Sequence, residues 1–202
     1  MIRRNGIKRL AIGSTFRYAN EERKDMLRKI RMIVITVLLS IIHFGKLTMK
    51  GFQDIRFDTE FAIHHKGHVT LGKSTTAFKR VTFAANGGVI EIGNGVFFNR
   101  DCMVCALDRI TIGDRCLFGP KVIIYDHDHV FNENGLVSGK FKTSPVIIED
   151  HCWIGANVTI LRGTHIGEGC VIGAGAIVSG NIPPHSMVKS DRSLYIQPIE
   201  SR

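Results

Sequence analysis

A chain of 202 residues with 44% hydrophobic residues, 21 glycines and five prolines has the size and composition of one globular domain with a short appendage; collagen, a disulfide-stapled miniprotein and a disordered tail are excluded. The net charge of +9 is concentrated: residues 1–50 hold 12 Lys and Arg against 3 Asp and Glu, and residues 51–202 hold 15 of each. The body therefore lacks the basic stripe interleaved with aromatics that nucleic-acid binding requires, and no nucleic-acid partner is expected.

The N-terminal segment, residues 1–50, is basic and apolar. From Glu21 to Lys29 the composition favours helix, and Met26, Ile30, Ile33, Val34, Val37, Leu38 and Ile41 recur at three to four, so a helix is expected from about 20 to 43. Its first part carries Arg23, Lys24, Arg28, Lys29 and Arg31. Two uses fit: packing on the body or a neighbouring subunit as a cap over exposed strand edges, or lying in an anionic membrane interface. Met32 to Phe44 is too short and too interrupted, by Thr36, Ser40 and His43, to span a bilayer. The chain opens without a signal-peptide pattern, so a cytoplasmic location is expected, with possible peripheral contact at the inner face of the membrane.

The second segment, residues 51–187, repeats at a period of six. Ile148, Ile154, Ile160, Ile166, Ile172 and Val178 stand six apart, with Gly after the first residue at 155, 167 and 173; Ile112, Phe118 and Ile124, and before them Ile92, Phe98 and Val104, are earlier copies. Ile92 and Ile112 are 20 apart, a shift that a single two-residue insertion would produce. Six fits neither a helix face nor a hairpin; it fits short strands with a branched residue inward and a turn at each corner. Three units make a triangular coil of 18 residues, and stacked coils form a mostly β, parallel β-helix, with room for about eight coils. Residues 188–202 form a C-terminal tail. Cys102, Cys116, Cys152 and Cys170 lie two before the large inward residue and so also point inward, which makes the Cys102-x-x-Cys105 spacing a packing feature; Cys105 is left near a corner.

The repeat breaks once, at Tyr125-Asp126-His127-Asp128-His129 and the following stretch to Ser144, read as a protruding loop; period six resumes at Ile148 after Pro145. Two imidazoles and two carboxylates in four residues suit general base catalysis, with a carboxylate orienting the ring. They also suit a metal site lacking a third ligand at diagnostic spacing, or a solvated turn without a task. These three remain open on the residues alone.

The hexapeptides Ile148–Trp153, Ile154–Thr159, Ile166–Val171 and Ile172–Ile177 resemble those of the left-handed β-helix acyltransferases. Ile112-Gly113-Asp114 to Pro120, Asp126 to His129, Pro145, Trp153-Ile154-Gly155 and Ile182-Pro183-Pro184 are similar to the galactoside, maltose and capsule-sugar O-acetyltransferases within that group. The resemblance covers about residues 60–187. It implies a left-handed helix, acetyl-CoA as co-substrate without a required metal, and a homotrimer whose sites lie between subunits. It implies as general base the histidine nine residues past Pro120, His129, with His127 beside it; on the residues the two can exchange roles. Asn99, about thirty residues upstream of His129, would contact the acceptor, with Asp101, Asp126 and Asp128 near it. Trp153 with Ala156 and Ala174 would lie along the acyl-CoA. The Lys that commonly precedes the Ile-Pro-Pro step is replaced by Gly180-Asn181, which leaves Lys189 and Arg192 as candidates for the CoA phosphates. The implied reaction is acetyl transfer to a hydroxyl of a sugar, in a surface polysaccharide or its lipid-linked precursor. A serine O-acetyltransferase-like enzyme acting on a small acceptor, and a non-catalytic β-helix scaffold, are the alternatives.

Overall fold

The computed structural model of the chain describes residues 4–190, with side chains from residue 23 onward. Its body is a left-handed β-helix whose short strands stack into three parallel sheets, which form the faces of a triangular prism. Face A runs in seven strands from Leu47–Met49 to Asn181–Ile182, face B in seven from Asp54–Ile55 to Met187–Val188, and face C in six from Glu60–His64 to Ile177–Val178. The strands alternate buried and exposed positions, so one branched residue per strand enters the core while its neighbour faces out. Cys102, Cys116, Cys152 and Cys170 are buried in that core and Cys105 is intermediate, as the two-residue alternation requires. Burial pushes the Cys102 thiol up to about 11, which leaves it inert as a nucleophile.

Coil length is not constant. On face B, Ile55 pairs with Ala77, Ala77 with Phe98, Phe98 with Phe118, Phe118 with Ile154, Ile154 with Ile172 and Ile172 with Val188. Successive steps are thus 22, 21, 20, 36, 18 and 16 residues. The shift between residues 92 and 112 is therefore a stage in a steady narrowing, not a single insertion, and the wide early coils reduce the expected eight to the seven strands on faces A and B. Phe61, Phe83, Phe98 and Phe118 fill the wide coils, with successive ring centroids 5.4, 5.2 and 4.7 Å apart. Isoleucine, cysteine and alanine suffice for the narrow ones.

Corners are held in two ways. At the corner between faces B and C, Arg80, Asp101, Lys121 and Asn157 adopt φ of +56° to +63°, a left-handed turn repeated coil after coil. The coils there stack so closely that a Cβ on Gly155 would lie 2.6 Å from the backbone nitrogen of Ala174. At the corner between faces A and B, one side chain per coil accepts a hydrogen bond from the backbone of the coil before it. Lys73 N donates to Asn94 Oδ1 (2.9 Å), Asn94 N to Asp114 Oδ1 (2.7 Å), and Asp114 N to Asp150 Oδ1 (2.7 Å).

The N-terminal helix, α1, spans Arg4–Ile42, starting well before the expected residue 20. Residues 4–19 contain no proline, and Gly6 and Gly13 weaken a helix without stopping it. Gly45 at φ +76° turns the chain after α1 toward the first strand. Thr36 is buried and Ile35 and Leu39 pack against the core. Thr36 Oγ1 accepts from Gln53 N (3.3 Å), and Gln53, itself fully buried, accepts from Thr75 N through Oε1 (2.8 Å). Gln53 Nε2 also donates to Lys50 O (3.2 Å), so the helix and Gln53 together satisfy backbone groups of the first coil and of the one stacked on it. No helix among the described residues is long and apolar enough to cross a membrane.

Candidate active site

The segment that breaks the repeat is a β-hairpin. His127–Asn132 pairs antiparallel with Gly135–Thr143, turning at Glu133-Asn134, and projects from the corner between faces C and A. Alternation along its first strand puts His127 and His129 on one side and Asp128 on the other. Phe141 lies between the imidazoles, its ring 5.6 Å from His127 and 4.7 Å from His129. Tyr125 closes on His127 edge-on at 5.7 Å.

The hairpin is fixed from both neighbouring coils. Asp126, 0% exposed, accepts from Leu107 N through Oδ1 (2.9 Å) and from Asp108 N through Oδ2 (2.7 Å), which nails the base of the hairpin to the coil below. Its Oδ1 also meets His127 Nδ1 at 2.9 Å. An ionised carboxylate only accepts, so Nδ1 is the protonated ring nitrogen and the lone pair of His127 lies on Nε2. On the other side, Asp128 Oδ2 accepts from Arg162 Nε of the coil above (2.5 Å). His129 is exposed and free to meet a ligand.

Asp126 and Asp128, expected near the acceptor, are thus occupied within the chain: the first is enclosed with both oxygens used, and the second is ion-paired. Asn99 and Asp101 stand at the corner between faces B and C, across face C from the imidazoles. Asn99 Oδ1 accepts from Arg100 N (2.8 Å). Asp101 takes Arg80 in a two-pronged pair, Nε at 2.6 Å and Nη2 at 3.0 Å, and the guanidinium holds its carboxyl below the usual carboxylate range. Ala156, Ala174 and Lys189 stack on that same corner in later coils, and Trp153, 56% exposed, stands on adjoining face B. Arg192 lies outside the described residues. The imidazoles, Asp126 and Asp128 therefore fall on one corner of the chain, and Asn99, Asp101, Ala156, Ala174 and Lys189 on another. Among the described residues no group of three or more His, Cys, Asp or Glu is placed to hold a metal ion.

Sequence reading overlooked Phe141 and Arg162 and gave Tyr125 no role. The Asn134-Gly135 pair, a hairpin signal flanked by Phe131 and Phe141, was available for the first; Arg162 carries no local signal, because it arrives from the next coil.

Residues 145–179 match the hexapeptide repeat family described from succinyl-transferase. A fission yeast protein from Schizosaccharomyces pombe, provisionally named an acetyltransferase, is 36% identical over 112 residues, 55% of this chain and 54% of its own length, so the chain spans about half of that relative. A hexapeptide-repeat acetyltransferase of Vibrio cholerae O1 biovar eltor, crystallised with acetyl coenzyme A, is similar at 28% identity and a TM-score of 0.52, covering 58% of this chain and 63% of that one. WbbJ of Escherichia coli K12, provisionally named a lipopolysaccharide biosynthesis O-acetyl transferase, is 32% identical over 136 residues, 62% of this chain and 69% of its own. With that relative matched over more than two thirds of its length and the coils stacked as the repeat demands, the chain belongs to the hexapeptide-repeat family of left-handed β-helix acetyltransferases.

Proposed function

We propose that this chain transfers an acetyl group from acetyl-CoA to a hydroxyl of a saccharide, in a surface polysaccharide or its lipid-linked precursor, with His129 as general base. The observation that carries the reading is the pair of imidazoles on one side of a hairpin tied to the coils above and below, inserted where an otherwise regular solenoid has no structural need of one. The acetyl coenzyme A in the Vibrio cholerae relative supports the donor, and the name given to the Escherichia coli relative supports the acceptor class.

Neutral His129 takes the proton of the acceptor hydroxyl as that oxygen bonds to the thioester carbon; the C–S bond then breaks, and the imidazolium returns the proton to the departing thiolate. A thioester is already activated, so holding the two substrates together supplies much of the acceleration. His127, pinned by Asp126, fixes Phe141 and so the platform on which His129 rests.

The separation of imidazoles from Asn99, Ala156 and Ala174 favours a homotrimer, in which the hairpin of one subunit meets the second corner of its neighbour. Face B supports this: above Phe97 its outward column reads Leu117, Trp153, Val171, Met187 in register, whereas face A presents Thr48, Thr70, Glu91, Thr111, Ile147, His165 and Asn181. An apolar column of that length suits coverage by a second copy. The basic, apolar α1 would keep the enzyme at the inner face of the membrane, where a lipid-linked acceptor resides.

The test is thiol release from acetyl-CoA with saccharide acceptors. His129→Gln is expected to lower kcat/KM about 100-fold or more, and His127→Gln about tenfold. The Asp126–His127 pair favours a second assignment, with His127 Nε2 as the base, and a reversed order of losses would establish it. Near wild-type turnover in both variants would overturn base catalysis by this cluster.

A further inference from the structure

At the helix-capped end of the prism, Arg28 and Arg31, one turn apart on the inner side of α1, both reach Asp54, the first outward residue of face B. Arg28 Nε donates to Oδ2 at 2.9 Å and Arg31 Nη2 donates to Oδ1. Thr76 and Phe97 follow Asp54 in register up the face. Arg56 lies over the Phe78 ring at 5.9 Å, and Phe78 meets Phe97 edge-on at 5.0 Å. These groups line a groove of about 520 Å³.

Its charge is not balanced. Three guanidinium groups face one carboxylate, an excess of two positive charges, and both oxygens of Asp54 are already used. Arg56 makes no ion pair among the described residues, and the next carboxylate along the corner, Asp58, does not line the groove. The Nε–H of Arg31 is enclosed without an acceptor. Forked guanidinium donors match the oxygens of phosphate, and the paired phenylalanine rings offer an apolar floor for whatever the phosphate carries.

We infer that this groove binds the phosphate or diphosphate of a phosphate-linked saccharide, with the attached ring or chain on Phe78 and Phe97. The inference rests on the acyltransferase reading for the saccharide, and it gives that acceptor a second point of attachment. A glycan anchored here lies at the foot of the column that climbs through Leu117 to Trp153, three coils above Thr76, or about 14 Å at sheet spacing.

Calorimetric titration of the full chain, with no acyl donor present, keeps this separate from turnover. The ligands are inorganic pyrophosphate, UDP-glucose and farnesyl diphosphate. Saturable binding is expected for all three, tighter for the two with an organic part. Arg56→Gln, at an exposed position, is expected to weaken each about tenfold, the scale of one charge-assisted hydrogen bond. Phe78→Ala should weaken only the organic ligands and leave pyrophosphate within about twofold. Farnesyl diphosphate binding more tightly than UDP-glucose identifies a lipid-linked source, and the reverse order a nucleotide-linked one. Absence of saturable binding up to about 10 mM, or unchanged affinity in Arg56→Gln with a wild-type melting curve, overturns the phosphate site; equal affinity for all three ligands overturns the phenylalanine floor. Thiol release measured on the same preparations shows independently whether the acyltransferase reading stands.

Discussion

Asp126 is held by two backbone amides and one imidazole, and none of the three has another acceptor to turn to. Asp126→Ala therefore removes the acceptor of both amides, at a cost of about 1 kcal/mol each where water can take its place, and frees the base of the hairpin. A clear fall in Tm by circular dichroism is expected. His129→Gln, at an exposed position, should stay within about 0.5 kcal/mol of wild type. Equal melting temperatures for the two variants would remove the anchoring role of Asp126. That role was within reach of the sequence: Ile124 points inward, and the alternation that sends Cys116 and Cys152 into the core also sends Asp126 there. The cluster suggested a carboxylate orienting an imidazole, and Asp126 does meet His127 Nδ1, but its hold on two backbone amides stayed hidden, because clustering is visible in a sequence and enclosure is not. Asn99, Asp101, Ala156 and Ala174 come from a resemblance, and their separation from the imidazoles could not be read without knowing on which corner each falls.

The coils from Ile148 to Val178 were legible because their steps are 18 residues and branched residues mark each strand. The wide coils before them were not, since 22, 21 and 20 residues put the inward positions out of step with a period of six. The helix was legible in kind and short in extent, as propensity locates apolar periodicity better than it locates ends. The side-chain ladder through Asn94, Asp114 and Asp150 was hidden, because its partners are a full coil apart. It carries a pH dependence. The amide of Asn94, followed by its side chain, holds the Asp114 carboxyl below its ordinary value of 3.8. A carboxyl depressed in the fold adds stability above its unfolded pKa and loses it as pH falls through the folded value. Tm should therefore be flat on this account above about pH 5 and decline below about pH 4, and part of that decline should vanish in Asp114→Asn, whose amide does not titrate. An identical acid decline in both proteins would refute the contribution of Asp114.

Across the assembled prism, the capped end is unlike its sides. The outer side of α1 exposes Met26, Leu27, Ile30, Ile33, Val34, Val37, Leu38 and Ile41, while its inner side covers the first coil; Phe44, Phe52 and Phe57 are exposed at the same end, Phe57 at 90%. Arg23 and Lys24 lie at the start of this apolar strip, and each cation near an anionic bilayer contributes about 1 kcal/mol, screened within roughly 10 Å. The full chain is expected to float with phosphatidylserine vesicles at low salt and to be released at high salt. Leu27→Gln, Val34→Gln and Val37→Gln together should abolish flotation without lowering Tm, since all three point away from the body. Flotation unaffected by these changes would exclude this strip as the lipid contact; failure of the wild-type chain to float would return α1 to covering a neighbouring subunit.

The narrowing of the coils bears on how the chain finds one structure. In a solenoid of identical coils, a strand can pair one coil too far along at little cost, because every core position still receives a residue of the right kind. Here a displacement by one coil sets a 22-residue turn against a 21-residue one, or an 18-residue turn against a 16-residue one, and faces a phenylalanine layer with space sized for isoleucine or cysteine. Each coil fits one place in the stack. Unequal lengths thus act as a key that forbids slippage during folding and discourages end-to-end growth between molecules, since no coil presents a template that another can copy.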